Sequence, residues 1–136
     1  MTAPYPTRPR RGRPEADIQR QIVALLRAAL PRGAIVHHAA NEVGFGGRHA
    51  HIRQAILTGM GVHAGFSDLI IVSGGRMLFL EVKGPRGRLS PAQRAFREAV
   101  QAQGLAWALV RSPEDALDVL RAHDFCTRLA RCRRSA

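Results

Sequence analysis

Apolar residues recur along the chain with two different spacings, one typical of helices and one typical of strands. Four segments have apolar residues three or four positions apart, the spacing of a helix that packs one face on a core. We expect these helices over residues 14–30, 49–58, 90–103 and 112–123. The residues expected to face inward are Ile18, Ile22, Leu25, Leu26, Ala29, Ile52, Ile56, Phe96, Ala99 and Val100.

Four shorter apolar segments have the length and composition of strands. They are Ala34–His38, Ser67–Val72, Arg76–Lys83 and Leu105–Val110. The two middle segments are separated by a Gly-Gly pair, which indicates a β-hairpin. Residues 41–47 are too rich in glycine for a regular element and are expected to form a loop. The order of elements predicts an α/β fold, a small mixed β-sheet flanked by helices.

The predicted hairpin brings three charged residues together. A two-residue loop at Gly74-Gly75, or a four-residue loop over the same turn, puts Asp68 directly opposite Glu81. Lys83 lies two residues beyond Glu81 and therefore on the same face. Opposed carboxylates repel each other, and a divalent cation with oxygen ligands, such as Mg²⁺, would remove that repulsion. The alternative is a cross-strand salt bridge in which Lys83 offsets the two acids.

Charge points to a polyanionic partner. The chain has 21 basic and 10 acidic residues, a net charge of +11. Eight arginines lie in two segments without acidic residues, residues 1–14 and 125–136. They are Arg8, Arg10, Arg11, Arg13, Arg128, Arg131, Arg133 and Arg134. We expect a basic flexible arm over 1–14, a folded domain over 15–124 and a basic tail over 125–136. Such tails suit nucleic acid, because contacts to phosphates release counterions; the alternative is that they only aid solubility.

Location and cysteine chemistry follow from what the sequence lacks. No apolar segment approaches the roughly 20 residues of a membrane-spanning helix, and residues 1–15 have no apolar segment of a secretory signal. We therefore expect a cytoplasmic protein without a membrane partner.

Cys126 and Cys132 are expected to be free thiols. The histidines lack the spacing of a zinc site and are expected at the surface or facing DNA.

Three short segments follow each other in a fixed order, Gly65-Phe66-Ser67-Asp68-Leu69, Leu80-Glu81-Val82-Lys83 and Leu89-Ser90-Pro91-Ala92-Gln93. Together they resemble the VRR-NUC domain of the PD-(D/E)XK nuclease superfamily. Glu15 and Asn41-Glu42 also match the short, stand-alone members, so the resemblance runs from about Glu15 to Val110. In one departure, Ser67 stands where the family usually has proline.

The resemblance implies a restriction-endonuclease-like core and a nuclease that hydrolyses phosphodiester bonds with Mg²⁺ or Mn²⁺. Asp68, Glu81 and the main-chain carbonyl of Val82 would hold the metal. Lys83 would orient or activate the attacking water, Gln93 would support the site, and Glu15 would reach it from the first helix. Stand-alone members resemble homodimeric junction-resolving enzymes, so the expected substrate is branched DNA such as a Holliday junction.

Several alternatives stay open on the sequence alone. Gln93 is equally explained by a capping box with Ser90, and Glu15 by the favourable position of an acid in the first turn of a helix. Glu42 is either a substrate contact or a solvated charge. The whole chain could instead be a basic nucleic-acid-binding module with a degenerate nuclease site. An RNA-directed nuclease is a third possibility, since phosphates are alike in both polymers.

Overall fold

The chain is described by a computed structural model over residues 14–39 and 49–129. Predictions that concern the remaining residues, among them Asn41, Glu42 and the loop 41–47, lie outside the described part. The elements are α1 (Pro14–Ala29), β1 (Ile35–His38), α2 (Ala50–Gly59), β2 (Leu69–Ser73), β3 (Arg76–Val82), α3 (Pro91–Ala102), β4 (Ala106–Val110) and α4 (Pro113–Ala122). Every predicted element is present, with ends within two residues of those expected.

The strands form one mixed sheet in the order β1-β2-β3-β4. The first three strands are antiparallel neighbours, and β4 joins β3 in parallel through the crossover helix α3. Ser73 pairs with Arg76 across the turn and Leu69 pairs with Leu80, which is the register expected of a Gly74-Gly75 loop. The predicted α/β fold and hairpin register are confirmed.

Alternate residues of the strands supply two separate apolar layers. One sheet face packs against α1 and α4 through the larger core cluster. Its buried members include Ile22, Leu26, Leu69, Ile71, Leu78, Leu80, Val110 and Leu120. The other face packs against α3 through Phe79, Phe96, Val100 and Trp107. Glu81 lies two residues beyond Phe79 and so belongs to the face that α3 covers.

Three of the residues expected to face inward are exposed instead. Ile52 and Ile56 are each 57% exposed, because α2 packs against no other helix or strand in the described part of the chain. Ala99 is exposed because the buried side of α3 is set by Phe96 and Val100, and the next residue along a helix points about 100° away. The prediction that these three residues face the core is wrong.

The first residues of the predicted C-terminal tail pack against the body. Phe125 is buried in the larger core cluster. Arg128 donates its main-chain N–H to the carbonyl of Ala29 at 2.7 Å and its Nε to that of Leu30 at 3.0 Å. A basic side chain at the C-terminal end of α1 also suits the helix dipole. Cys126 is disulfide-bonded, so the prediction of free thiols is wrong for this residue; Cys132 lies outside the described residues.

Gly65 is required where the chain enters β2. Its φ is +73°, and a Cβ there would lie 2.2 Å from the carbonyl oxygen of Ala92 in α3. Such an approach is possible only without a side chain. Gly65 therefore allows the segment before Asp68 to lie directly on the start of α3.

We predict that Gly65→Ala lowers the free energy of unfolding by about 3 kcal/mol or more, because backbone strain and overpacking add. Gly104→Ala is the matched control. Gly104 has a similar φ of +77° but no atom within 4 Å of the Cβ position, so a loss of about 1–2 kcal/mol is expected from strain alone. Denaturant unfolding measures both values. Equal losses in the two variants would contradict the close contact at Gly65.

Candidate active site

Asp68 is placed by the segment that leads into β2. The ring of Phe66 lies 4.8 Å from that of Phe96 between centroids, which fixes this segment against α3. One step beyond the observed β2–β3 pairs, Asp68 comes opposite Glu81. Asp68 Oδ2 accepts a hydrogen bond from the main-chain N–H of Val82 at 2.8 Å. The predicted juxtaposition of the two carboxylates is therefore present.

Glu81 is the most buried charged residue of the site, with 2% of its surface exposed. Its Oε1 accepts from Gln93 Nε2 at 2.7 Å and lies 3.5 Å from Lys83 Nζ. No N–H or hydroxyl group in the described part of the chain donates to its buried Oε2, and its remaining side-chain hydrogen-bond partner is Asp68, itself an acid. Buried carboxylate oxygens without such a donor are costly. The oxygen beside Asp68 is thus chemically suited to a cation.

Gln93 makes two sets of contacts, one in the capping box of α3 and one with Glu81. Its Oε1 accepts from the main-chain N–H of Ser90 at 2.9 Å, and the Ser90 hydroxyl accepts from the N–H of Gln93 at 3.1 Å, which completes the capping box. Its Nε2 remains free to bind Glu81. Because β4 is parallel to β3, the crossover helix α3 must begin at the end of the sheet where β3 finishes. This topology brings the first turn of α3 next to Glu81.

Glu15 reaches the site from the first turn of α1. Its Oε1 accepts from the main-chain N–H of Gly84 at 3.4 Å. A Cβ on Gly87 would lie 3.0 Å from this oxygen and 3.1 Å from Cδ of Lys83. The side chains of Glu15 and Lys83 therefore both lie beside Gly87, where a Cβ would crowd them. The structure thus gathers all five predicted catalytic side chains at one end of the sheet.

The Val82 carbonyl points in the direction that the predicted metal site requires. The N–H of Lys83 donates to the carbonyl of Val110 in β4 at 3.0 Å. Across a trans peptide the preceding carbonyl points the opposite way, and no peptide bond described here is cis. The Val82 carbonyl therefore faces the β2 side, where Asp68 lies.

Burial dominates the electrostatics of the two acids. Burial and the charge of Asp68 together raise the pKa of Glu81 to about 8, against the opposing charge of Lys83. Burial also raises the pKa of Asp68, which the N–H of Val82 and the charge of Lys83 partly offset. Without a cation the pair is costly to ionise fully.

A cavity of about 510 Å³ opens beside the carboxylates of Asp68 and Glu15. Its lining is formed by Pro14, Glu15, Ala16, Gln19, Arg20, His38, Asp68 and Val82. His38 closes β1 and is hydrogen-bonded through Nδ1 to the side chain of Gln19. Sequence reasoning missed both residues, because no tight turn joins β1 to β2 and the register of β1 could not be derived.

The donor set for a cation consists of oxygen atoms. Within residues 14–39 and 49–129, no three His, Cys, Asp or Glu side chains converge on one point. Asp68, Glu81 and the Val82 carbonyl are the groups that fit. Hard oxygen ligands of this kind suit Mg²⁺ or Mn²⁺.

The described helices include none long and apolar enough to cross a membrane.

A mixed sheet with Asp68, Glu81 and Lys83 at the end of a hairpin is the architecture of a PD-(D/E)XK nuclease domain. The model of the VRR-NUC domain matches residues 45–114, just over half of the chain. The chain belongs to the VRR-NUC domain family, a family of nuclease domains.

Two solved structures share the fold. One, described as a VRR_NUC domain protein, is 21% identical with a TM-score of 0.63, and the match covers 82% of this chain and 88% of that one. The other, described as a VRR_NUC domain, is 19% identical with a TM-score of 0.53, covering 82% and 98%. None of the curated proteins matches the chain.

We predict that the metal-free protein loses stability as the pH rises from about 5 to about 8. The folded state keeps a proton on Glu81 until its pKa of about 8, whereas the unfolded state releases it near the ordinary value of 4.5. The folded state thus keeps the Glu81 proton in this window while the unfolded state has lost it, so the titration of Glu81 lowers the free energy of unfolding as the pH rises.

Urea unfolding in EDTA across this window measures the effect. Glu81→Gln should flatten the profile, and the exposed Glu98→Gln on α3 should leave it as in the wild type. Parallel profiles for wild type and Glu81→Gln would contradict the raised pKa.

Proposed function

We propose that the chain is a Mg²⁺- or Mn²⁺-dependent DNA endonuclease that acts as a homodimer on branched DNA such as Holliday junctions. The observation that carries the metal dependence is the buried Oε2 of Glu81, which faces the acid Asp68 and receives no N–H or hydroxyl donor from the described residues. Two buried carboxylates that repel each other cost stability, and binding nucleic acid alone gives no reason to keep them. Membership of a nuclease family supports the same conclusion.

Each residue of the site has a distinct task. Asp68, Glu81 and the Val82 carbonyl hold the cation, which when bound supplies positive charge to the phosphate and makes a water more acidic. Lys83, whose side chain is 12% exposed, keeps an ammonium beside the site to orient the attacking water and offset charge on the phosphate. Gln93 holds Glu81 in place, and Glu15 binds the backbone that follows Lys83.

The DNA backbone is expected to follow the loop after β3. Arg86 and Arg88 are exposed and flank Gly87, which lies against Lys83 and Glu15. Two arginines so near the reacting groups are suited to the phosphates on either side of the cleaved bond. This arrangement supports a nucleic-acid substrate independently of the basic ends of the chain.

The homodimer follows from the number of cuts. One site cuts one strand, and two symmetric cuts across a junction are most simply made by a two-fold dimer. A stripe of apolar side chains on and just after α2 is available for contact with a second copy. Ile52 and Ile56 are 57% exposed and Met60 is 78% exposed.

We predict that Asp68→Asn, Glu81→Gln and Lys83→Arg each reduce cleavage by about 100-fold or more, the range seen when a group that stabilises transition-state charge is removed. EDTA should stop the wild-type reaction and Mg²⁺ or Mn²⁺ should restore it. Plasmid, linear duplex and four-way junction substrates are compared at equal concentration, and sedimentation gives the oligomeric state. Glu98→Gln, an exposed acid on α3, is the control.

The outcomes separate the parts of the proposal. Cleavage that survives in Glu81→Gln would contradict the assigned site. Binding without metal-dependent cleavage would leave a binding module with a degenerate site. Equal cleavage of duplex and junction, or a monomer on the junction, would contradict the substrate and the dimer.

We predict further that Arg86→Ala and Arg88→Ala each flatten the dependence of DNA affinity on salt by about 0.9 in log–log slope, the value for one phosphate contact. Arg76→Ala is the matched control, since Arg76 is exposed at the opposite end of β3. Fluorescence anisotropy at several salt concentrations in Ca²⁺ measures the slopes. Equal slopes in all three variants would contradict the proposed path of the DNA.

A further inference from the structure

Arg111 joins the end of β4 to the backbone behind Lys83. Its Nη1 donates to the main-chain carbonyl of Gly84 at 2.5 Å. Its own N–H donates to Asp115 Oδ2 at 2.9 Å, and the N–H of Asp115 donates to the Ser112 hydroxyl at 3.0 Å. The first turn of α4 therefore fixes the point from which the Arg111 side chain extends.

The contact with Gly84 is the last of a series of hydrogen bonds along consecutive peptide groups. The N–H of Val82 binds Asp68, that of Lys83 binds the carbonyl of Val110, and that of Gly84 binds Glu15. The carbonyl of Gly84 then accepts from Arg111. Three different parts of the chain, the entry to β2, the start of α1 and the end of β4, thus hold three successive residues.

The backbone of Gly84 depends on these hydrogen bonds more than the backbone of its neighbours does. The ladder between β3 and β4 ends at Val82 and Val110, with one further bond from Lys83. Gly84 has no side chain to restrict its backbone, and Pro85 has no N–H with which to extend the pairing. Glu15 on the N–H side, at 3.4 Å, and Arg111 on the carbonyl side therefore fix the peptide groups that follow Lys83.

We propose that Arg111 is a positioning residue of this site, acting on the Lys83 ammonium through the backbone of Gly84. It clamps the Gly84–Pro85 peptide group through the Gly84 carbonyl, while Glu15 binds the N–H of Gly84, and the two contacts together restrict the backbone from which the Lys83 side chain leaves β3. The inference rests on the proposed nuclease function. It adds a residue from the junction of β4 and α4 to the site formed by Asp68, Glu81 and Lys83. The alternative is that the guanidinium contacts a DNA phosphate directly.

A measurement on the lysine itself tests the proposal without any reaction. Lys83 is the only lysine of the chain, so reductive methylation with ¹³C-formaldehyde labels only this residue and the N-terminal amine. In the metal-free, DNA-free protein, Arg111→Ala should move the Lys83 signal towards that of a free methylated lysine. Arg111→Lys, which keeps a charged donor for the Gly84 carbonyl, should stay near the wild-type position.

Two controls accompany this measurement. The signal of the N-terminal amine should not move in any variant. Arg121→Ala removes an exposed arginine from α4, where it pairs with Asp118, and should leave the Lys83 signal unchanged. If Arg111→Ala does not fold, Arg111→Gln carries the test, since its amide can still donate but without charge and at shorter reach. An unmoved Lys83 signal in folded Arg111→Ala, or in Arg111→Gln where only that variant folds, overturns the proposal.

Kinetics then distinguish positioning from phosphate binding. Arg111→Ala should lower kcat by about 10–100-fold, the cost of a small misplacement of a catalytic group, with KM and the salt dependence of DNA binding as in the wild type. Arg111→Lys should recover most of kcat. A raised KM and a flatter salt slope with kcat unchanged would instead make Arg111 a phosphate contact. If the wild type does not cut DNA, the proposed function fails, while the Lys83 signal still decides whether Arg111 positions the lysine.

Discussion

The repulsion between Asp68 and Glu81 is the constraint on which the arrangement of the site depends. The β2–β3 register sets the two carboxylates opposite each other, and Glu81 is 2% exposed, so water cannot separate their charges. Lys83, Gln93 and the N–H of Val82 each offset part of the cost. The second oxygen of Glu81 still receives no N–H or hydroxyl donor from the described residues. On our proposal a cation completes the set, so the protein carries a local cost in the metal-free state in exchange for a prepared binding site.

The topology of the sheet explains why so many elements meet at this pair. Crossover from β3 to the parallel strand β4 starts α3 at the end of the sheet where Glu81 lies, and its capping residue Gln93 doubles as the hydrogen-bond donor to Glu81. The loop between them returns Gly87 to the side of Lys83 and Glu15. At the neighbouring strand end, Arg111 binds Gly84. The parallel pair β3–β4 and the β2–β3 hairpin beside it thus bring one end each of β2, β3, β4, α1 and α3 close to Glu81 and Lys83.

Local signals in the sequence predicted most of the fold and the placement of Asp68, Glu81 and Lys83 at one end of the hairpin. Gly74-Gly75 fixed the hairpin register, and Ser90-Pro91 with Gln93 fixed the start of α3. Contacts distant in sequence were not accessible in this way: His38 and Arg111 reach the site because β1 and β4 take particular places in the sheet, which no turn specifies. The error on Ile52 and Ile56 has a related cause, since an apolar stripe on a helix shows that it needs a partner but not that the same chain supplies one.

The central claim is that the two carboxylates form a cation site, and calorimetric titration of the metal-free protein with Mn²⁺ tests it most directly. The account predicts one bound ion per site, and release of close to one proton per ion near pH 7, because the pKa of Glu81 is raised to about 8 in the absence of metal. Titration in two buffers of different ionisation enthalpy gives the proton count. Glu81→Gln should abolish both the binding and the proton release. Absence of binding to the folded wild type, or equal binding by Glu81→Gln, would contradict the account.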